Sequence, residues 1–388
     1  MMDYFSLNRG IYLGAIKIIL SRLIILAVFC LPLFLQLNSC SPQVERQEKE
    51  GPVFIGADNH NIQYIGRFDF SDPKNVVFDW PGVYICAKFE GTDCSIRLKD
   101  STDEYAVIID DHAPRLLKGG KSNIYKIASG LSGSIPHTVV IQKRTEAFVG
   151  RGVFSGFVLD NGAKMLPPDK RPSRRIEFIG NSITCGYGVL GDSSGCHFSK
   201  QTEDAGMSYA GMVSRELNAD YHLISYSGKG VVRNYGDRNK TSPDPMPSLY
   251  DRTCCTDSTL KWDFEKWIPQ AVVINLGTND FSTRPYPDSL VFQAAYGKLI
   301  DRVRSLYPGV TIFCISGPMI GEPCTGYINE VVIKQQKIEG RDKDVFFIQI
   351  PRSLLNYKDW GCDMHPNIFG AKIMAGVIVP AMKLRMNW

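Results

Sequence analysis

This 388-residue chain has little charge excess: 44 Lys and Arg stand against 40 Asp and Glu, for a formal net charge of +4. A balance that close gives no field suited to nucleic acid, so no nucleic-acid partner is expected. No block of like charges and no low-complexity tract interrupts the sequence. Histidine is scarce, six in all, and no His/Cys cluster has metal-ligand spacing. Neither a metal nor an organic cofactor is implied. Cysteine is present eleven times, but there is no CxxC, and Cys254 and Cys255 are adjacent. An exported chain with that many cysteines suggests disulfides, yet the spacing assigns no pairing. Cys86, Cys94, Cys185 and Cys314 sit in strand-like runs, where cysteine acts as a small hydrophobe.

The first forty residues read as a targeting segment. Arg9, Lys17 and Arg22 precede "LIILAVFCLPLFLQLNSC", a basic region followed by an apolar one and a small residue before a Cys. "LNSC" at 37–40 resembles a bacterial lipobox, with Cys40 as the lipidated residue. The expectation is a lipoprotein signal peptide at 1–39 and a polar tether at 40–52. The mature protein would then be an exported lipoprotein, held on a membrane at the periplasm or cell surface. Pro32 and Gln36 break an apolar run already short for a span, which argues against an uncleaved anchor.

Two rhythms follow. Residues 53–165 hold short runs rich in β-branched and aromatic residues, such as "CSIRLKD", "YAVIIDD" and "HTVVIQKRTE". Turn-forming stretches divide them, and no helix is convincing, so an all-β sandwich or jelly roll is expected. "LPPDKRPSRR" at 166–175 reads as a linker. From 176 to 388, "IEFIG", "YHLISYSG", "AVVINLG", "VTIFCISG" and "VFFIQIP" alternate with helical stretches at 208–218, 289–307, 327–339 and 368–386. That alternation implies a three-layer α/β domain with a parallel, flavodoxin-like sheet. Ligands of such sheets sit beyond the carboxyl ends of the strands.

Chemistry-bearing residues fall at those ends. Ser182 follows the first strand, Ser227, Gly228 and Gly230 the second, and Asn279 and Asp280 the third. "CDMHP", with Asp363 and His365, precedes the last helix. Taken singly, each is an ordinary loop residue. Together they suit acyl transfer. Ser182 is the nucleophile, His365 its base, and Asp363 orients and charges the imidazole, raising its pKa. Backbone N–H groups of Ser182 and Gly230 and the amide of Asn279 form the oxyanion hole. Asp280 reads as structural. Trp360 and Tyr187 are candidate sugar-stacking residues. "GDSSG" at 191–195 matches GxSxG but lacks the strand before and the helix after. "GYGVLG" at 186–191 matches GxGxxG but lies too far past its strand for a nucleotide site.

The blocks "GNSIT", "SGKG", "GTND" and "DMHP", in that order, resemble the SGNH (GDSL-type) hydrolases. A β domain ahead of "FIGNSITCGYG", together with "SYSGKG" and "HTVVIQKRTE", is similar to carbohydrate esterase family 2, over residues 60–385. The resemblance implies a serine esterase that removes acetyl groups from polysaccharides such as xylan and glucomannan, often at O6 of hexoses. Asn181 stands where the superfamily usually has Asp. Other readings are an SGNH esterase for peptidoglycan acetyl or lipid esters, and a glycan-binding lipoprotein with an idle hydrolase fold.

Overall fold

The computed structural model describes residues 51–338 and 344–388; the expected signal peptide at 1–39 and Cys40 lie outside the described residues. The first part is a sandwich of two antiparallel sheets. One has strands Val53–Gly56, Gly152–Leu159, Cys94–Lys99 and Ile124–Ala128 in that order, with Val76–Phe78 beside Gly152–Leu159. The other runs Lys164–Leu166, Tyr84–Glu90, Pro136–Lys143, Glu104–Ile109, Arg115–Lys118, with Gln63–Ile65 beside Tyr84–Glu90. Alternate residues of Pro136–Lys143 point inward, and His137, Val139, Ile141 and Lys143 are the buried ones. That is the period-two burial a half-covered strand requires.

The second part carries a five-stranded parallel sheet in the order Ala219–Ser225, Arg174–Gly180, Ala271–Asn275, Thr311–Ser316, Val345–Gln349. In chain order this is 2-1-3-4-5, as expected of a flavodoxin-like sheet, with its switch point between the first and third strands. Both faces are covered, so these strands are almost wholly buried. Helices Tyr209–Glu216 and Ile368–Met386 pack on Phe178, Leu223, Val273 and Phe313. Helices Ser289–Leu306 and Cys324–Gln336 pack on Ile179, Ile224, Ile274 and Ile312. Helix Cys324–Gln336 starts three residues earlier than its apolar spacing suggests.

The expected linker is shorter and tighter than its composition implies. Arg174 and Arg175 already belong to the first parallel strand. Arg171 donates to Asp220 at 3.1 Å and to Tyr84 at 2.9 Å, and Lys88 pairs with Asp169 at 2.6 Å. The two layers of the molecule therefore share an interior. Arg67 of the sandwich reaches Glu177 of the parallel sheet at 3.2 Å, both side chains out of solvent. The indole of Trp80 donates to the Thr253 carbonyl at 3.0 Å, and Asp79 accepts from the Cys255 N–H at 2.7 Å. Asp79 and the Trp80 N–H are tolerated in the interior because each finds such a partner.

Candidate active site

The first parallel strand ends at Gly180, and the chain turns at once. The Asn181 side chain accepts from the Ile183 N–H at 3.3 Å and caps a single helical turn, Ser182–Cys185. This is the N-cap geometry in which Asn serves as well as Asp. The turn closes at Gly186 in the left-handed region (φ 79°), where the Tyr187 N–H returns to the Ser182 carbonyl at 3.0 Å. Ser182 is thus held on a sharp turn at the carboxyl edge of the sheet, beside the switch point.

His365 meets it from the far end of the chain, with Nε2 2.8 Å from Ser182 Oγ. Its other nitrogen, Nδ1, faces the carbonyls of Cys362 at 3.3 Å and Asp363 at 3.2 Å. Two acceptors there place the proton on Nδ1, so Nε2 is the acceptor for the serine hydroxyl. The ring is lowered from the ordinary histidine value to about 4. Burial against protein is the main cause, and the two carbonyls and the nearby Asp363 charge only partly oppose it. A neutral imidazole beside a serine hydroxyl is a general base in place, and the pair can open an ester.

Asp363 does not do what the sequence suggests. Its carboxylate turns away from the imidazole. It accepts from the Tyr187 hydroxyl at 2.8 Å and the Phe198 N–H at 2.9 Å, and lies 2.8 Å from Nδ1 of His197. The cause is local: Asp363 and Met364 both have left-handed backbone, φ 53° and 61°, which swings the side chain off the line of the loop. Burial alone would raise its pKa, but those hydrogen bonds outweigh it and hold the carboxyl below its usual range. The Asp363 charge still favours the imidazolium, as expected, but the ring loses more to burial than it gains from that charge, so its pKa lies below the ordinary value.

The two stacking candidates also change role. Trp360 is buried, bridged to Pro366 across the loop, with the Arg352 guanidinium 4.4 Å over its ring. No face is left for a sugar. Tyr187 lies against His365, ring centroids 4.3 Å apart, with Phe198 4.6 Å from Tyr187. It buttresses the imidazole instead of presenting a platform.

The second and third strands supply the remaining candidates. Gly230 has no room for a side chain: a Cβ would stand 2.0 Å from the Arg233 carbonyl and 2.4 Å from the Asp280 carboxylate. Asp280 is buried and accepts the N–H groups of Val231 at 2.9 Å, Val232 at 2.7 Å and Arg233 at 3.0 Å. It fixes the loop that follows Gly230, as the structural reading expects. Asn279 donates one amide hydrogen to the Lys229 carbonyl at 2.8 Å. That bond holds the carboxamide against the glycine loop and leaves its second hydrogen for a ligand.

Several parts went unread in the sequence. Cys196 and Cys362 form a disulfide. It ties the glycine-rich loop of "GDSSG" to the turn that carries His365, so that loop has a use its motif match did not suggest. His197, the next residue, then meets Asp363. Among the described residues no group of three or more His, Cys, Asp or Glu is gathered for a metal.

The comparisons with known proteins bear on this arrangement. Residues 64–168 match the carbohydrate esterase 2 N-terminal family, and residues 178–373 the GDSL-like lipase/acylhydrolase family. A solved family two carbohydrate esterase from Clostridium thermocellum, in complex with cellohexaose, is 37% identical. It aligns with a TM-score of 0.78 over 84% of this chain and 99% of that one. This chain belongs to carbohydrate esterase family 2. The cellulase/esterase CelE of Acetivibrio thermocellus is 38% identical to this chain over 339 residues, 85% of it. An acetylxylan esterase / glucomannan deacetylase of Cellvibrio japonicus is 38% identical over 217 residues, 55% of it. The family two chain spans 40% of the length of the first and 58% of the second.

Proposed function

We propose that the protein is a serine esterase that removes O-acetyl groups from polysaccharides or oligosaccharides of the xylan and glucomannan type. The observation that carries this is the 2.8 Å approach of His365 Nε2 to Ser182 Oγ at the sheet edge. The names of the relatives support the substrate class. Ser182 Oγ attacks the acetyl carbonyl carbon while His365 Nε2 takes its proton. The tetrahedral oxyanion is met by N–H groups of Ser182 and Gly230 and by the Asn279 amide. Collapse breaks the bond to the sugar oxygen, which takes the proton from the His365 imidazolium and leaves as the free hydroxyl. Water then repeats the cycle on the acetyl-serine and releases acetate. Orientation of the imidazole falls to the Cys362 and Asp363 carbonyls, and Asp363 steadies the surroundings through Tyr187. The test is acetate release from a panel of acetylated xylan, glucomannan and peptidoglycan alongside long-chain acyl esters. Release from peptidoglycan or long-chain esters alone would overturn the substrate assignment.

We also propose that the enzyme is an exported lipoprotein held on the membrane through Cys40, on the strength of "LNSC" behind a basic and apolar leader. A single acyl chain binds only marginally, so the multiply acylated Cys of a bacterial lipoprotein is the physical requirement. Cys40→Ser is expected to move the protein from the membrane to the soluble fraction or leave it unprocessed. Incorporation of labelled fatty acid into that variant would refute the anchor.

A further inference from the structure

The segment that follows the sandwich strand Pro136–Lys143 leaves the β layer and enters the α/β layer. The Arg144 carbonyl accepts from the Ala205 N–H at 2.9 Å, and the Arg144 side chain pairs with Asp204 at 2.9 Å. Lys143 clamps the bend from inside, donating to the carbonyls of Thr145 at 2.7 Å and Glu146 at 3.3 Å while paired with Asp103 at 2.7 Å. The clamp delivers Glu146, fully out of solvent, to the floor of the catalytic edge.

There Glu146 touches two separate pieces of the site. The Ser227 N–H donates to its Oε2 at 2.6 Å, and the Ser227 hydroxyl donates to its Oε1. The Cys185 thiol donates to Oε2 at 3.6 Å and also lies 3.3 Å from the Ser225 hydroxyl. Cys185 is the last residue of the turn that begins with Ser182, and Ser227 opens the loop that runs to Gly230. One carboxylate therefore joins the turn of the nucleophile to the loop of the glycine block.

We infer that Glu146, contributed by the β-sandwich, is a positioning residue of the esterase: it sets the gap between the Ser182 turn and the Ser227–Gly230 loop into which the ester carbonyl must fit. This rests on the proposed roles of Ser182 and Gly230. An oxyanion donor misplaced by a fraction of an ångström loses much of its effect, because catalysis depends on the donor meeting the position the charge develops at. Glu203 completes the device. It too is fully buried, and its Oε2 accepts the Glu146 N–H at 3.1 Å. Burial, and then the charge of Glu146, push the Glu203 carboxyl well above the usual range, and burial raises Glu146 as well. Three donors of the catalytic edge, the Cys185 thiol and the N–H and hydroxyl of Ser227, converge on the Glu146 carboxyl.

The test uses the full chain and two readouts. Glu146→Gln keeps the volume but turns one acceptor into a donor facing Ser227 or Cys185. It is expected to lower kcat on nitrophenyl acetate by roughly 10–100-fold with KM nearly unchanged. Its effect should be less than additive with that of Asn279→Ala, since both act on one oxyanion site. The second readout is the rate at which a fluorophosphonate labels Ser182. That reaction needs the nucleophile and the oxyanion donors but no sugar, so it can succeed where the acetylated-glycan assignment fails. Ser227→Ala removes one donor at a half-buried site and guards against a Glu146→Gln chain that does not fold; a several-fold fall in both readouts is expected. Wild-type kcat and labelling rate in either variant, or full additivity with Asn279→Ala, would overturn the inference.

Discussion

Ser182→Ala is expected to lower kcat for acetyl-ester hydrolysis by roughly 10⁴- to 10⁶-fold, leaving only what the oxyanion donors and binding achieve alone. The fold should not notice. The hydroxyl touches His365 Nε2, whereas the turn is held by backbone bonds and by the Asn181 cap, none of which needs the side chain. The melting temperature should therefore stay within about 2 °C of wild type. Substrate should still bind, so the variant serves to trap the glycan complex. Activity near wild type in pure variant protein would remove Ser182 from the mechanism.

The second large effect separates two neighbours. His365→Ala is expected to cost about as much as Ser182→Ala, because the imidazole moves the proton in both halves of the reaction. Asp363→Asn is expected to cost about tenfold or less, on the scale of one lost hydrogen bond among several. The carboxylate does not touch the imidazole, and the Cys362 and Asp363 carbonyls that do are untouched by the change. The pH dependence carries the same argument. The reactive form needs neutral His365, so activity is present above its pKa and lost as pH falls through it. With that pKa lowered to about 4, the acid limb of kcat/KM should lie well below the ordinary histidine range. The Asp363 charge favours the imidazolium, so Asp363→Asn should move the limb lower still. A limb between pH 6 and 7, or Asp363→Asn as inactive as His365→Ala, would overturn this division of roles.

Much of the site is legible because a parallel sheet forces loops onto one edge. Once "FIG", "VVIN" and their partners are read as strands, Ser182, Gly230 and Asn279 have nowhere else to be. Side-chain direction is another matter. The spacing suggests Asp363 as the partner of His365, but two consecutive left-handed residues in "DMH" turn its carboxylate to Tyr187 and His197. Non-glycine residues seldom adopt that backbone, and nothing in the residue types announces it. Trp360 sits on the catalytic loop as its position suggests, yet its ring packs inward under Arg352. Glu146 was invisible as a contributor because its partner Ser227 is 81 residues away, across the boundary between the two rhythms. The motif "QKRTE" marks the spot by resemblance, while the reason for it, a bend that carries a carboxyl into the other layer, is tertiary.

Nine cysteines lie among the described residues, and only Cys196 and Cys362 are joined, across a separation of 166 residues. An oxidant that reaches the chain before it folds meets many competing thiols, eleven in the full sequence, and one match seen among the described residues. Once folded, the other seven withdraw from the contest. All are buried, and burial pushes their thiols upward, away from the reactive thiolate. The order of events thus decides the outcome. Early oxidation favours near neighbours such as Cys86 and Cys94, or Cys185 and Cys196, and a chain trapped that way must be reshuffled before the histidine turn can be strapped down. Recovery of active protein should follow the supply of an isomerase or a thiol–disulfide buffer more closely than the strength of the oxidant.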